Sequence, residues 1–191
     1  VPIIEKIIND CPNVEKLVIL CSKKDLPSTE FSEVISYEEL LSMGNENFEW
    51  STGEETDACG ICYTSGTTGN PKGVVYTHRS NTLHALTQAA PDMLNLSSTD
   101  TIMPVVPLFH ANGWSIAYTA PLVGSAIVFP GGDLSPSSLY DMLEKGVTIT
   151  AAVPTVWLLL LNFLKSEKKK LSSLKRVVIG GSSCPRSVIE D

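Results

Sequence analysis

Between Tyr63 and Ser80 the chain reads YTSGTTGNPKGVVYTHRS. Thr64, Ser65, Thr67 and Thr68 offer four hydroxyls, Gly66 and Gly69 allow a tight backbone turn and close approach to a ligand, and Lys72 adds a cation. Successive N–H groups in such a turn form a concavity that holds an anion. The lysine ammonium supplies a point charge for a phosphate oxygen. This equipment suits a polyphosphate. It departs from the Gly-Lys-Ser/Thr pattern of P-loop enzymes, because Pro71 precedes Lys72 and Gly73 follows it. The next residues, GVVYTH, read as a strand. The phosphates are therefore expected on a strand–loop–strand hairpin rather than at a helix N-terminus. A plain surface turn would need neither the hydroxyls nor the lysine.

Three other places carry chemistry. His110 lies in VVPLFHANGW, residues 105–114. A lone histidine is most often structural, and His78 and His84 are too far off in sequence to make a zinc set with it. A helix over Ala111–Leu122 would stack Trp114 above His110 at its first turn. Gly180–Gly181–Ser182 ends an apolar run, and glycines there let a planar group lie against the backbone. Cys59-Gly-Ile-Cys62 has CxxC spacing. On a strand, residues three apart point to opposite faces, so these two thiols are expected not to meet. Cys184 has no activating base nearby in sequence and reads as a small filler.

Apolar runs at Lys16–Cys21, Ala58–Thr64, Gly73–Thr77, Thr101–Val106, Ser125–Phe129, Ile149–Val153 and Arg176–Gly180 read as strands. Several are nearly all apolar, as when both faces of a sheet are covered. Helical patterns lie between them at Arg79–Ala90, Ala111–Leu122, Pro136–Glu144 and Thr155–Leu164, the first with Leu83, Leu86 and Ala90 on its apolar face. Such alternation predicts an α/β fold with a mostly parallel sheet flanked by helices. The organisation expected is a leading segment over 1–50, an acidic loop over 51–57, and a subdomain over 58–191 that carries the Gly/Thr loop.

The chain has 191 residues, 43% of them hydrophobic, and a net charge of −7. The acidic balance speaks against nucleic acid or an anionic membrane as main partner, but not against a nucleotide in a local pocket. No apolar run reaches the ~18 residues of a membrane span. Five cysteines without a regular framework fit a reducing, cytoplasmic setting. The start at VPIIEK and the end at SVIED suggest a piece of a longer protein.

YTSGTTGNPKGVVYTHRS resembles the phosphate-loop signature of the adenylate-forming (AMP-binding) superfamily, which includes acyl-CoA synthetases, luciferases and peptide-synthetase adenylation domains. VVPLFHANGW resembles its aromatic–His segment, and ITAAVPTVWLLLL and RVVIGGSSCPRSVI resemble the segments that follow. The resemblance covers about Val14 onward. FHANGW and GGSSCPRS are most similar to the medium- and long-chain fatty acyl-CoA synthetases.

The resemblance implies part of a large N-terminal domain. It also implies a two-step ligase: a carboxylic acid attacks the α-phosphate of ATP, giving an acyl-adenylate and pyrophosphate, and the thiol of coenzyme A then displaces AMP. ATP, Mg²⁺ and coenzyme A are the cofactors expected. By the same resemblance Thr64, Ser65, Gly66, Thr67, Thr68, Gly69 and Lys72 hold the phosphates. Thr67 is the first choice for a hydroxyl on Mg²⁺, with Thr64, Ser65 and Thr68 as alternatives. His110 and Lys72 take catalytic roles, His110, Trp114 and Gly181 border the acyl group, and Gly180, Gly181 and Ser182 meet adenine. The resemblance leaves room for a homodimer of the full-length protein. The family's later motifs and C-terminal domain are absent from these 191 residues, so the fragment alone is expected to be inactive. Two other readings stay open: an adenylation domain for an amino or aryl acid, and a non-catalytic nucleotide-binding module. An amino acid would call for an acidic partner, and FHANGWSIAY offers none.

Overall fold

The computed structural model describes residues 2–64 and 69–190. The chain divides into two compact units, Val1–Thr52 and Gly53–Asp191.

In the first unit, α1 (Pro2–Ile7) precedes a two-stranded parallel sheet of β1 (Leu17–Ile19) and β2 (Val34–Ser36), which leads into α2 (Tyr37–Ser42). Ser36 starts that helix with a capping box: its hydroxyl accepts from Glu39 N at 3.2 Å and the Glu39 carboxylate accepts from Ser36 N at 3.1 Å. The Lys23 ammonium, 2.8 Å away, and these Ser36 bonds push the Glu39 carboxyl down to about 2.

The second unit opens with β3 (Ala58–Thr64) and β4 (Lys72–Thr77), an antiparallel hairpin in which Thr64 pairs with Lys72. The hairpin expected from the Gly/Thr run is therefore present. Thr77 at once caps α3 (His78–Ala89): its hydroxyl accepts from Ser80 N, and Ser80 answers on the Thr77 backbone N–H. A parallel sheet follows, built of β5 (Thr101–Pro104), β6 (Ala126–Ile127), β7 (Ile149–Ala152) and β8 (Arg176–Ile179) in the order β6-β5-β7-β8.

Successive residues of these strands feed two cores. Met103, Val105 and Ala152 pack with Leu139, Leu143 and Trp157 on one face. Ile102, Val106, Ile149 and Ala151 pack with Ile116 and Ala120 on the other. The apolar, non-alternating strand sequences reflect that double burial. Leu139 and Leu143 lie on α6 (Pro136–Leu143), and Trp157 on α7 (Pro154–Ser166). Val188 joins this core from α8 (Arg186–Glu190).

Two expectations fail here. The apolar face read for the helix after the hairpin is not its buried face. Leu83 and Leu86 are 57% and 52% exposed, whereas Asn81 and Ala85 are buried. Small Ala85 admits close packing, and Asn81 is drawn inward by hydrogen bonds. The helix expected over Ala111–Leu122 is also broken. Ala111–Trp114 forms one separate turn, α4, and the right-handed helix α5 runs only over Ile116–Val123. Ala111, Asn112, Gly113, Trp114 and Ser115 all have positive φ, between 47° and 63°. The turn is left-handed, so the premise that stacked Trp114 above His110 does not hold.

Candidate functional site

Chain geometry gathers the expected residues at strand ends. In a parallel sheet the crevice beyond the carboxyl ends of the strands is where ligands bind. The chain leaves β5 toward His110 and leaves β8 into Gly180, Gly181 and Ser182, with β7 between the two strands. His110, Gly181 and Ser182 are exposed there.

Glycine at 180 has a specific cause. A Cβ built on it would lie 2.8 Å from Trp114 Cη2 and 3.2 Å from Cζ2, so the indole lies against the bare backbone. The planar group on this glycine is thus a side chain of the protein itself. Gly181 has φ +84, and a Cβ there would meet Val153 Cγ1 at 3.0 Å. Trp114 and Gly180, far apart in sequence, pack directly against each other.

At the hairpin, Thr64 and Lys72 face each other across the two strands at the mouth of the loop. Both are exposed. Gly69 has φ +95, a conformation suited to glycine. Ser65, Gly66, Thr67 and Thr68 lie outside the described residues. Among the described residues no group of three or more His, Cys, Asp or Glu side chains could hold a metal ion.

The two cysteines are free thiols, but the strand alternation expected to part them is interrupted. The β3–β4 register slips between Ala58 and Gly60, so Cys59 is an extra residue in the strand. Such a bulge interrupts the alternation of faces. Cys59 and Cys62 both reach the same pair of amides. Cys62 Sγ donates to Asn112 Oδ1 at 3.0 Å, Asn112 Nδ2 donates to Asn81 Oδ1 at 3.2 Å, and Asn81 Nδ2 donates to Cys59 Sγ at 3.0 Å. Cys59 Sγ in turn faces Tyr76 O on β4 at 3.4 Å.

The left-handed turn that carries Asn112 is costly by itself. A left-handed conformation costs roughly 1–2 kcal/mol per residue outside glycine, with Asn among the more tolerant. Ser115, at the end of the turn, is 1% exposed, and its Oγ has no hydrogen-bond partner among the described residues. Local bonds from Gly113 N to His110 O (3.0 Å) and from Ser115 N to Asn112 O (3.2 Å) close the turn. Asn112 and Trp114 tie it to the rest of the unit.

Sequence reasoning did not find Asn81 or Asn112. The available signals were the Asn112–Gly113 dipeptide, which marks turns, and Gly60 inside a strand, which marks bulges. It also missed a hollow of about 350 Å³ lined by Val105, Pro107, Leu108, Phe129 and Leu134, beside the segment that leads to His110.

A family model described as "AMP-binding enzyme" matches residues 3–191. A medium-chain-fatty-acid–CoA ligase of Ectopseudomonas oleovorans is 46% identical over 191 residues, covering 100% of this chain and 35% of that protein. A long-chain-fatty-acid–CoA ligase of Thermus thermophilus is 43% identical over 189 residues, covering 98% of this chain and 33% of that protein. The chain thus spans about a third of the length of the curated relatives it matches. Among solved structures, a long-chain-fatty-acid-CoA ligase of Archaeoglobus fulgidus superposes with a TM-score of 0.77 at 30% identity, over 98% of this chain and 40% of that one. An anthranilate CoA ligase in complex with anthranoyl-AMP shares the fold, with a TM-score of 0.79 at 24% identity over 98% of this chain and 35% of that one.

Proposed function

Because the chain belongs to the AMP-binding enzyme family, we propose that it is the phosphate-loop and acyl-pocket part of an ATP-dependent fatty acid–CoA ligase. The observation that carries this reading is the hairpin, which sets the Thr64 hydroxyl and the Lys72 ammonium across from each other where the loop begins and ends. The similarity to medium- and long-chain fatty acid ligases supports the choice of acid.

In this reading Lys72 and the hydroxyls and amides of Thr64–Gly69 hold the β- and γ-phosphates of ATP. They stabilise the charge that builds on departing pyrophosphate, and preorganised donors do this best where water is excluded. His110 sits past the end of β5 and steadies the carboxylate oxygens of the acid as they approach the α-phosphate. Trp114 walls the acyl side. Gly181 and Ser182 offer backbone to adenine or to the acyl group.

Mg²⁺ would arrive on the triphosphate, with the Thr67 hydroxyl as its protein-side partner. Hard cations favour such oxygen donors, and the ion would neutralise charge on the leaving group. The thiol of coenzyme A then takes the acyl group. Residues 1–50 form a leading segment, 51–57 an acidic loop and 58–191 the working part, with the C-terminal half-site supplied by the rest of the full-length protein, which can pair as a homodimer. Five free cysteines agree with a cytoplasmic setting.

The test is exchange of labelled pyrophosphate into ATP by the full-length protein. Exchange should appear only when a fatty acid is added. ATP hydrolysis without any acid, or no exchange with acids of any length, would refute the reading.

A further inference from the structure

The thiol–amide chain between the hairpin and the His110 turn runs in one direction. Cys62 S–H donates to Asn112, Asn112 N–H to Asn81, Asn81 N–H to Cys59, and Cys59 S–H faces the Tyr76 carbonyl. Each inner member donates once and accepts once, the pattern in which neighbouring bonds polarise and strengthen one another. Asn81 is 8% exposed and Cys62 is 9% exposed, so water competes poorly for these groups.

The chain links α4 and α3 to the β3–β4 hairpin. Cys62 lies on β3, two residues before Thr64 at the loop. Asn112 lies in α4, two residues after His110. Asn81 lies in the first turn of α3, which the Thr77–Ser80 capping box joins to the end of β4. The side chain of Asn112 ties α4 to the hairpin and to α3.

We propose that Asn81 and Asn112 are positioning residues that fix His110 relative to Thr64 and Lys72 at the mouth of the hairpin, so that the imidazole and these two side chains meet one substrate in register. The proposal rests on the ligase reading for the identity of that substrate, but not for the coupling itself. Misplacing a reacting group by an ångström can cost about 100-fold in rate. Loosening this tie therefore affects the chemical step more than nucleotide binding.

The test uses the full-length protein with histidine labelled at Cε1 with ¹³C, the His110 signal being assigned by its loss in His110→Gln. Asn112→Gly keeps the residue best suited to positive φ and deletes the amide. Asn81→Ala deletes the other partner. In both variants the His110 signal should shift or broaden, and kcat for acid-dependent pyrophosphate exchange should fall about tenfold. KM for ATP should move less than about twofold, since Lys72 is untouched. The double variant should lose no more than the worse single one, as expected of one coupled unit. Cys62→Ser retains a donor for Asn112 and should stay near wild type, whereas Cys62→Ala should not. An unmoved His110 signal in both amide variants overturns the proposal, whether or not the enzyme exchanges pyrophosphate. So does a kcat that stays at the wild-type level while the signal moves. A wild-type protein that never exchanges, yet whose His110 signal follows both amides, leaves the tie standing and removes the ligase reading.

Discussion

Adding one methyl group at Gly180 separates the contact with Trp114 from every other role of this strand end. Gly180 is not among the residues with positive φ, so the backbone accepts alanine. The obstacle is the indole, whose Cη2 would stand 2.8 Å from the new Cβ. Carbon atoms rest at about 3.5–4.0 Å, so the ring must retreat by at least about 0.7 Å. Trp114 already packs against the core that includes Ile102, Val106, Ile116 and Ile149, which resists its movement. Overpacking of this kind costs about 1–3 kcal/mol. Alanine returns about 0.4–1 kcal/mol by restricting the unfolded chain. A net loss of about 1 kcal/mol is expected, or ~3 °C in Tm. Urea and thermal unfolding followed by circular dichroism would measure it, in a double-mutant cycle with Trp114→Ala. In the Trp114→Ala background the cost of Gly180→Ala should vanish or change sign. An equal cost in both backgrounds would refute the packing argument.

Two further outcomes are expected. Asp100 accepts hydrogen bonds from Thr148 Oγ1 at 2.8 Å and from Ser97 N and Oγ, and pairs with Arg176 at 2.8 Å. Burial alone would raise its carboxyl, but these bonds and the Arg176 charge outweigh it and hold the group below its usual 3.8. A lowered folded value means that this stabilisation is complete above the unfolded value and is lost as pH falls from there through the folded one. Asp100→Asn should therefore flatten the fall of Tm below pH 3.8 and cost about 2 kcal/mol at neutral pH. An unchanged acid limb would show that Asp100 does not carry it. Lys72→Ala should raise KM for ATP about tenfold while KM for the acid stays within about twofold. Steady-state kinetics of the full-length protein decide this, and equal losses for both substrates would remove Lys72 from the phosphates.

The elements that sequence predicted best are those whose burial is decided locally. Ile149–Ala152 is apolar throughout because both of its faces are covered, and Gly69, Asn70 and Pro71 mark the hairpin turn directly. β2 was missed because three residues with one parallel partner leave almost no pattern. The buried side of α3 was misread for another reason. Periodicity pointed to Leu83 and Leu86, yet burial followed Asn81, whose partners lie at Cys59 and Asn112. That information sits more than twenty residues away in either direction. The reversal of hand at α4 was legible in Asn112–Gly113, but the apolar residues after it continue a helical pattern that hides the break.

α4 makes contacts in two directions, and the reason is geometric. Residues two apart on a helical turn of either hand project about 200° apart around its axis. Asn112 therefore reaches the hairpin and α3 while Trp114 reaches the opposite way, onto Gly180 of the strand end. His110 stands at the start of the same turn. One five-residue segment thus ties the end of β3 to the histidine and the histidine to Gly180. Deleting one residue from it would rotate one contact relative to the other by about 100° and break one or both. The length and hand of the turn are therefore fixed by its two outward contacts, and the positive φ values of Ala111, Trp114 and Ser115 are the local cost of making both at once.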